Sequence, residues 1–320
     1  MTAATRSAAR FGKAASRLPD LLFRSTSGVF AWTLVATLLL LGVMLVLNGG
    51  QALSKFGADF LTGTTWDPIA GIYGALPFII GTLGSSLIAI ILATPIGLLT
   101  AIFLAELATR RISIPLTFAI ELLAAIPSVV YGLWGVFVLG PFLASTVEAW
   151  IVGIFGWIPI FAGPPFGVGL FAAGVILTLM ILPTIVAISR DVITAVPDSQ
   201  REAMLALGAT RWEMITKSVL PYARSGIIGA VILGLGRALG ETMAVTMVIG
   251  NRPQVPGSIF DSSQTIASQI ATTFNEAGVG LQTSALIGLG LVLLVITMSL
   301  NVIARLLVWR VAGPDAGGQK

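Results

Sequence analysis

The sequence contains no cysteine and no histidine, and only 10% of its 320 residues are charged. Without these two residue types, zinc, haem and thiol sites and histidine-based acid–base catalysis are nearly excluded. Average globular chains carry about 25% charged residues, whereas 56% of this chain is hydrophobic. The composition therefore predicts an integral membrane protein without a metal or cofactor of its own.

Six apolar runs are long enough to cross a bilayer, which requires about 20 helical residues. The predicted spans are approximately 29–47, 77–104, 116–140, 168–189, 225–250 and 284–304. Together they predict an all-α transmembrane domain of six helices at 29–310, preceded by a basic segment at 1–28 and followed by a tail at 311–320. The remaining apolar stretch, 141–167, is interpreted as a re-entrant or surface helix.

The basic residues predict how these spans are oriented. Of the 18 Lys and Arg residues, 15 fall in the two terminal segments and in the loops after the second and fourth spans, all of which lie on one side of the membrane. Only Lys55 and Arg252 fall in loops on the other side. Basic residues accumulate on the cytoplasmic side. We therefore expect cytoplasmic N- and C-termini, and the high isoelectric point reflects membrane orientation and not nucleic-acid binding.

The polar segment 190–224, between the fourth and fifth spans, is predicted to form two helices joined by a turn. Ser199 with Glu202, and Thr210 with Glu213, each match the capping-box pattern of a helix start.

Gly208 and Pro221 are predicted to end these two helices. Glycine is the common residue for the left-handed conformation after a helix. Proline lacks the amide hydrogen that continues a helix, so the second helix is expected to stop at Pro221.

The spacing of Glu202-Ala203, Gly208 and Leu220-Pro221 resembles the EAA loop of ABC importer permeases. The resemblance implies a coupling helix that docks into a groove on a cytoplasmic ATPase subunit. Where that family usually has alanine, this chain has Met204. The residues expected to couple to the ATPase are Arg201, Glu202, Ala203, Leu207, Gly208, Ala209 and Thr210.

Three ionisable residues are predicted at membrane depth: Arg237 and Glu241 in the fifth span, and Glu121 in the third. Arg237 lies about 18 Å along its span at 1.5 Å per residue, and Glu241 is expected one turn further on the same face. Such charges should face protein or water and not lipid. Arg237 therefore either forms a buried salt bridge between helices or contacts a passing anion. For the two carboxyl groups the sequence leaves two alternatives open: both pair with Arg237, or burial raises the pKa of one of them so that it is protonated instead.

Three stretches narrow the family: 121–133, 202–221 and 234–251 are similar to PstC-type permeases of phosphate ABC importers. The likeness extends from about residue 30 over nearly the whole chain. It implies a type I (MetI-like) permease in a bacterial inner membrane, with phosphate passing Arg237 and Glu241 by alternating access. The residues that carry the first stretch of the family signature are Pro127, Ser128, Tyr131 and Gly132.

The resemblance also implies partners: a PstA-type sister permease, two copies of a PstB-type ATPase that binds ATP and Mg²⁺, and a PstS-type phosphate-binding protein. The chain itself contains no G-x-x-x-x-G-K-[ST] nucleotide motif, so we expect a transport subunit and not an enzyme. A permease for sulfate or molybdate stays open as an alternative. A proton-coupled transporter using Glu121 and Glu241, or an anion channel, would leave the coupling loop unexplained.

Overall fold

The computed structural model describes residues 17–278 and 280–312, and most of these residues are helical. One short antiparallel hairpin joins β1 (Trp66–Asp67) to β2 (Ile72–Tyr73). In chain order the helices are α1 (Arg17–Phe56), α2 (Asp59–Thr62), α3 (Leu76–Leu107), α4 (Arg110–Ala125), α5 (Ser128–Phe155), α6 (Leu170–Thr194), α7 (Asp198–Ala206), α8 (Arg211–Gly240), α9 (Met243–Val248), α10 (Ile266–Thr273) and α11 (Leu281–Ala312).

Six of these helices, α1, α3, α5, α6, α8 and α11, are long and apolar enough to cross a membrane. The prediction of an all-α membrane protein with six spanning helices is therefore confirmed. The basic residues that begin α4 and end α6 lie at one end of the bundle, together with α7, and this end is called the basic end below. Parts of the predicted terminal segments, residues 1–16 and 313–320, lie outside the described residues.

Helix α6 forms the centre of the bundle and is the most buried of the six long helices. It packs against α3 on one side and α8 on the other. Small residues permit this approach: a Cβ added at Gly174 would lie 2.4 Å from Ile88 Cγ2, and one at Gly97 would lie 2.9 Å from Ile185 Cγ2. In lipid, where apolar burial between helices gains little, such close packing holds helices together.

Helices α1 and α11 form a second packed pair beside this centre. They touch at Gly49 and Gly288, where a Cβ on Gly49 would lie 3.1 Å from the Gly288 backbone. The Ser284 hydroxyl on α11 donates to the Asn48 carbonyl at 2.8 Å and accepts from the Ala52 amide at 3.2 Å. These contacts fix the part of α1 nearest the β-hairpin.

The third predicted span, 116–140, is wrong. The structure breaks the helix at Ile126–Pro127 and places the spanning helix at Ser128–Phe155. The physical reason is Pro127, which disfavours helical conformation at the residue before it, and Ile126 is accordingly extended with ψ 127°. The stretch predicted as a surface helix, 141–167, thus supplies the second half of α5 instead.

Helix α5 carries a carboxylate, Glu148, and the structure explains how the helix accommodates it. The carboxylate is 1% exposed and accepts a hydrogen bond from the Gly167 amide at 2.8 Å. A buried carboxylate with such a partner is tolerated where an unpaired one is costly.

Pro221 does not end a helix, contrary to the sequence prediction. Helix α8 continues through it, and the five residues Ile215–Val219 shortly before it form a π-helical turn. A wider turn of this kind accommodates a residue that has no amide hydrogen and makes room for the proline ring. The fifth span therefore begins well before the predicted residue 225.

The contact between α1 and α11 gives a test of packing. We expect Gly49→Leu to lower the free energy of unfolding by about 1–3 kcal/mol, because overpacking forces helices apart. The matched control is Gly50→Leu on the same helix, where an added Cβ meets no atom within 4 Å. Thermal unfolding of both purified variants in detergent measures the difference, and equal stability of the two would contradict this helix contact.

Candidate functional site

The first candidate site is the surface formed by α7 and the turn after it, here called the coupling surface (198–212). Leu207 is 85% exposed and Trp212 is 71% exposed, and Glu202 and Ala203 are exposed as well. Exposed apolar groups of this size at the end of a bundle are typical of a protein-binding surface.

The turn after α7 has the predicted conformation. Gly208 has φ +82°, and the amides of Gly208 and Ala209 donate to the carbonyls of Leu205 and Met204 at 3.0 and 3.1 Å. This closes the C-terminus of α7 with a left-handed glycine. The prediction for Gly208 is confirmed.

Of the two predicted capping boxes, the second is confirmed. The Glu213 amide donates to Thr210 Oγ1 at 3.3 Å, and Glu213 Oε2 accepts from the Thr210 amide at 3.0 Å. The first is wrong, because α7 begins at Asp198 after Pro197 and Ser199 therefore lies inside the helix without a side-chain cap.

Arg201 anchors the coupling surface to the transmembrane bundle. Its guanidinium donates to the Glu106 carboxylate on α3 at 2.8 Å and to the Ile193 carbonyl on α6 at 2.9 Å, and it also contacts the Val196 carbonyl. The Glu106 side chain is only 6% exposed. The hydrogen bonds to Glu106 raise the pKa of Arg201 above its ordinary value, so its guanidinium stays charged. One side chain thus joins α7, α3 and α6.

Met204 packs inward beneath the coupling surface. It lies half-buried against the apolar cluster that includes Ile193, Met214 and Val219. Methionine fills irregular gaps well because it is unbranched and flexible. The departure from alanine at this position is therefore accommodated in the interior and leaves the exposed surface unchanged.

The second candidate site is Arg237 in the last turn of α8. Its side chain is exposed on the surface of the chain, and Nη1 donates to Thr184 Oγ1 at 3.3 Å. Thr184 lies near the middle of the 25-residue α6, which places the guanidinium near the middle of the bundle. Within 17–278 and 280–312, no carboxylate lies at ion-pair distance from Arg237.

The position of Glu241 differs from the prediction. Helix α8 ends at Gly240, and Glu241 has an extended conformation with ψ 127°, so it does not lie one helical turn beyond Arg237. Its Oε1 instead accepts from the Ala244 amide at 3.3 Å, in the first turn of α9. The fifth predicted span, 225–250, is therefore divided between two helices, α8 and α9, with a short non-helical break at Glu241 and Thr242.

Glu121 forms no ion pair with Arg237 in the described residues. It is exposed on α4, a helix none of whose residues is buried and which precedes the third spanning helix. Pairing of both carboxylates with Arg237, one of the two alternatives left open by the sequence, therefore does not occur in the described residues. The break at Pro127 places Glu121 outside the third spanning helix, and α8 ends before Glu241.

The signature 127–132 lies where α4 passes into α5. Pro127 occupies the N-cap position and Ser128 begins the helix. The Tyr131 hydroxyl donates to the Leu123 carbonyl on α4 at 2.8 Å. A Cβ on Gly132 would lie 2.5 Å from Met247 Sδ and 3.2 Å from Ala244 Cα, so only glycine permits α9 to pack here.

Sequence reasoning missed two residues of these sites, Glu106 and Thr184. Glu106 is an acid at the end of a long apolar run, next to the basic pair Arg110 and Arg111, and this position could have indicated a partner for a cation. Thr184 follows Pro183 inside an apolar helix. Nothing in the sequence pattern pairs it with Arg237.

Comparison with known proteins identifies the family of this chain. Residues 93–313 match the family described as "Binding-protein-dependent transport system inner membrane component". The chain is 46% identical to the phosphate transport system permease protein PstC of Haemophilus influenzae, over 90% of this chain and 92% of that protein. It is 47% identical to PstC of Mesorhizobium japonicum and 48% identical to PstC of Pasteurella multocida, with more than 90% of each chain covered.

Solved structures share the fold at low sequence identity. The inward-facing MetNI methionine ABC transporter matches with a TM-score of 0.56 and 17% identity, over 77% of this chain and 99% of that one. A bacterial alginate ABC transporter in complex with its substrate-bound periplasmic protein matches with a TM-score of 0.55 and 17% identity, over 88% and 96%. Both chains show that ABC importers contain this arrangement of helices.

The Arg201 anchor gives a second prediction. Arg201→Leu leaves the Glu106 carboxylate buried without a partner, which is expected to cost about 3–5 kcal/mol. Hydrogen exchange of the amides in 198–206 should therefore become faster, because α7 loses its link to α3 and α6.

The control is the double substitution Arg201→Leu with Glu106→Leu. Removing both charges of a buried pair is much less destabilising than removing one, so exchange should return most of the way to the wild-type rate. If the double variant exchanged as fast as the single variant, the ion pair would not be what holds α7.

Proposed function

Because this chain belongs to the binding-protein-dependent transport system inner membrane components, and within them to the PstC-type phosphate permeases, we propose that phosphate crosses the membrane beside Arg237. The chain is the permease subunit of a phosphate ABC importer, a multi-pass protein of the inner membrane. The path, the partners and the orientation given below are inferred from the residues and their geometry.

The observation that carries the proposed path is the exposure of Arg237 at mid-depth. A charged side chain there is too costly to face lipid, and no carboxylate of the described chain neutralises it. The guanidinium must therefore face water or another subunit. Its planar set of donors matches the oxygens of phosphate, and hydrated phosphate is an anion that needs such a group on its way.

The break between α8 and α9 supports the same path. Non-helical backbone at membrane depth occurs where it is covered by protein or lines an aqueous cavity. Transporters use the ends of such interrupted helices to contact their substrates. Here the break at Glu241 and Thr242 follows directly after the turn that carries Arg237.

A second subunit completes the path. Gly229, Gly236 and Gly240 share one face of α8, and a Cβ added to any of them would meet no atom of the chain within 4 Å. This open face lies beside Arg237 and accepts close approach of another helix. We assign it to a PstA-type sister permease, with room left for phosphate between the two chains.

The coupling surface receives a PstB-type ATPase dimer, which binds ATP and Mg²⁺. Leu207 and Trp212 supply exposed apolar contacts, and Glu202 supplies a charge beside them. Because Arg201 joins α7 to α3 and α6, movement of α7 on the ATPase is passed to the helices around Arg237. This is the physical basis of the proposed alternating access.

The distribution of basic residues favours a cytoplasmic location for the coupling surface, and with it for both termini. The opposite end of the bundle, which carries the β-hairpin and α10, then faces the extracytoplasmic side and receives a PstS-type binding protein. That protein delivers phosphate and selects it over other oxyanions.

The path is tested in proteoliposomes that contain the whole importer, with binding protein outside and ATP at the ATPase. We expect Arg237→Ala to lower phosphate uptake by about tenfold or more, since a hydrogen bond to a charged group contributes about 1.5–3 kcal/mol. Arg237→Lys should retain part of the uptake because it keeps the charge.

The matched control is Arg305→Ala, an exposed arginine of α11 away from the path. It should transport like the wild type. Normal uptake by Arg237→Ala would exclude the proposed path, and uptake that needs a proton gradient but no ATP would exclude an ABC mechanism altogether.

Coupling is tested separately with Glu202→Lys, which reverses a charge on the coupling surface. We expect loss of ATPase binding and a fall in uptake of about fivefold or more, because like-charge contacts at an interface cost several kcal/mol. Gln200→Lys, also exposed on α7, is the control. Co-purification of the ATPase distinguishes the two, and intact binding by Glu202→Lys would place the docking contact elsewhere.

A further inference from the structure

A second basic site lies at the basic end, apart from Arg237. A pocket of about 320 Å³ opens between the end of α3, the start of α4 and the end of α6. Its polar lining includes Arg110, Ser113, Arg190, Asp191 and Thr194. Neither the proposed phosphate path nor the coupling surface uses this pocket.

Arg190 is held in place by neighbouring side chains. With Arg110 and Asp191 in the same lining, the pocket carries an excess of positive charge. Arg190 Nη1 donates to the Thr117 hydroxyl on α4 at 2.7 Å, and its Nη2 donates to Asp191 at 2.8 Å. Arg190 is thus fixed between two helices with only 24% of its side chain exposed. Arg110 lines the same pocket and has no carboxylate at ion-pair distance within 17–278 and 280–312.

The backbone at this place adds to the positive potential. Arg110 begins α4, a helix of 16 residues whose N-cap residue, Thr109, makes no side-chain hydrogen bond to the first turn. The N-terminus of a helix favours an anion. Thr194 provides a hydroxyl that can donate to the same ligand. Two guanidinium groups, a helix start and a hydroxyl therefore face one cavity.

We propose that this pocket binds a phosphate-bearing anion. The shared chemistry is a phosphate group held between Arg110 and Arg190, the pair of donors that suits phosphate oxygens best. Two sources supply such a group at this end of the bundle. One is free inorganic phosphate, and the other is the headgroup of an anionic phospholipid, which basic pockets between membrane helices accept.

The pocket lies next to the anchor of α7. Leu104 and Ala105, which line it, belong to the same terminal turn of α3 as Glu106, the partner of Arg201. Thr194 follows Ile193, whose carbonyl accepts from Arg201. A ligand that draws α3, α4 and α6 together here would fix the base of the coupling surface. With the orientation proposed above, the site faces the cytoplasm and so the compartment that receives the transported phosphate.

The test uses the full chain in nanodiscs of phosphatidylcholine, with and without phosphatidylglycerol. All proteins carry Arg237→Ala, so that binding at the proposed path does not contribute and the two proposals can fail independently. Radiolabelled inorganic phosphate measures the first source by equilibrium dialysis. Native mass spectrometry of retained phosphatidylglycerol measures the second.

We expect Arg110→Gln to weaken binding of one of these probes by about tenfold, which corresponds to about 1.4 kcal/mol. Arg110→Lys should weaken it less. Arg305→Gln, at the basic end of α11 but outside the pocket, is the matched control and should bind like its parent. Arg110 is exposed and makes no internal contact that the fold requires, and a thermal unfolding curve identifies a variant that has lost its fold.

The two arms separate the sources. Phosphate binding in pure phosphatidylcholine that depends on Arg110 identifies a soluble-anion site. Retention of phosphatidylglycerol that depends on Arg110, without phosphate binding, identifies a lipid headgroup site. If Arg110→Gln and Arg305→Gln bind both probes alike, or if neither probe binds the parent, the proposal is overturned.

Discussion

The cost of a positive charge in the middle of a bilayer governs how this chain can be used. Arg237 lies at that depth, touches Thr184 and is exposed on the surface of the chain. On a soluble protein, water would solvate such a group, but lipid does not. In the membrane, Arg237 therefore has to face water or a polar surface of another subunit. The proposed phosphate path and the proposed sister subunit both satisfy this requirement.

The coupling proposed between the coupling surface and the bundle depends on an ion pair. Arg201 and Glu106 are both largely buried and form a salt bridge at 2.8 Å. Such a pair contributes little to overall stability, because desolvation offsets its attraction. It ties a short helix, which would not be stable alone, to two spanning helices. In the proposed mechanism this connection passes a movement of α7 to the centre of the bundle.

Parts of the site could be predicted because they depend on neighbours in sequence. The left-handed Gly208 and the capping box of Thr210 and Glu213 involve residues at most a few positions apart, and both predictions are confirmed. The predictions for Ser199 and Pro221 were wrong although they are equally local. In the first case the N-cap is Pro197 and the helix starts two residues earlier than predicted, and in the second a π-helical turn accommodates the proline. Local patterns are therefore decisive only where no neighbouring residue offers an alternative.

The sequence by itself determined the class of protein, the number of spanning helices and the family, because apolar length, scarcity of charge and residue spacing are properties of the chain alone. Only the tertiary structure decided which charges meet. Breaks at Pro127 and Gly240 separate Glu121 and Glu241 from Arg237, which contacts Thr184 instead, and Glu106 pairs with Arg201, for which the sequence indicated no partner within the chain. Contacts between residues distant in the chain depend on where helices break and on how closely they pack. Neither can be read from the periodicity of apolar residues in the sequence.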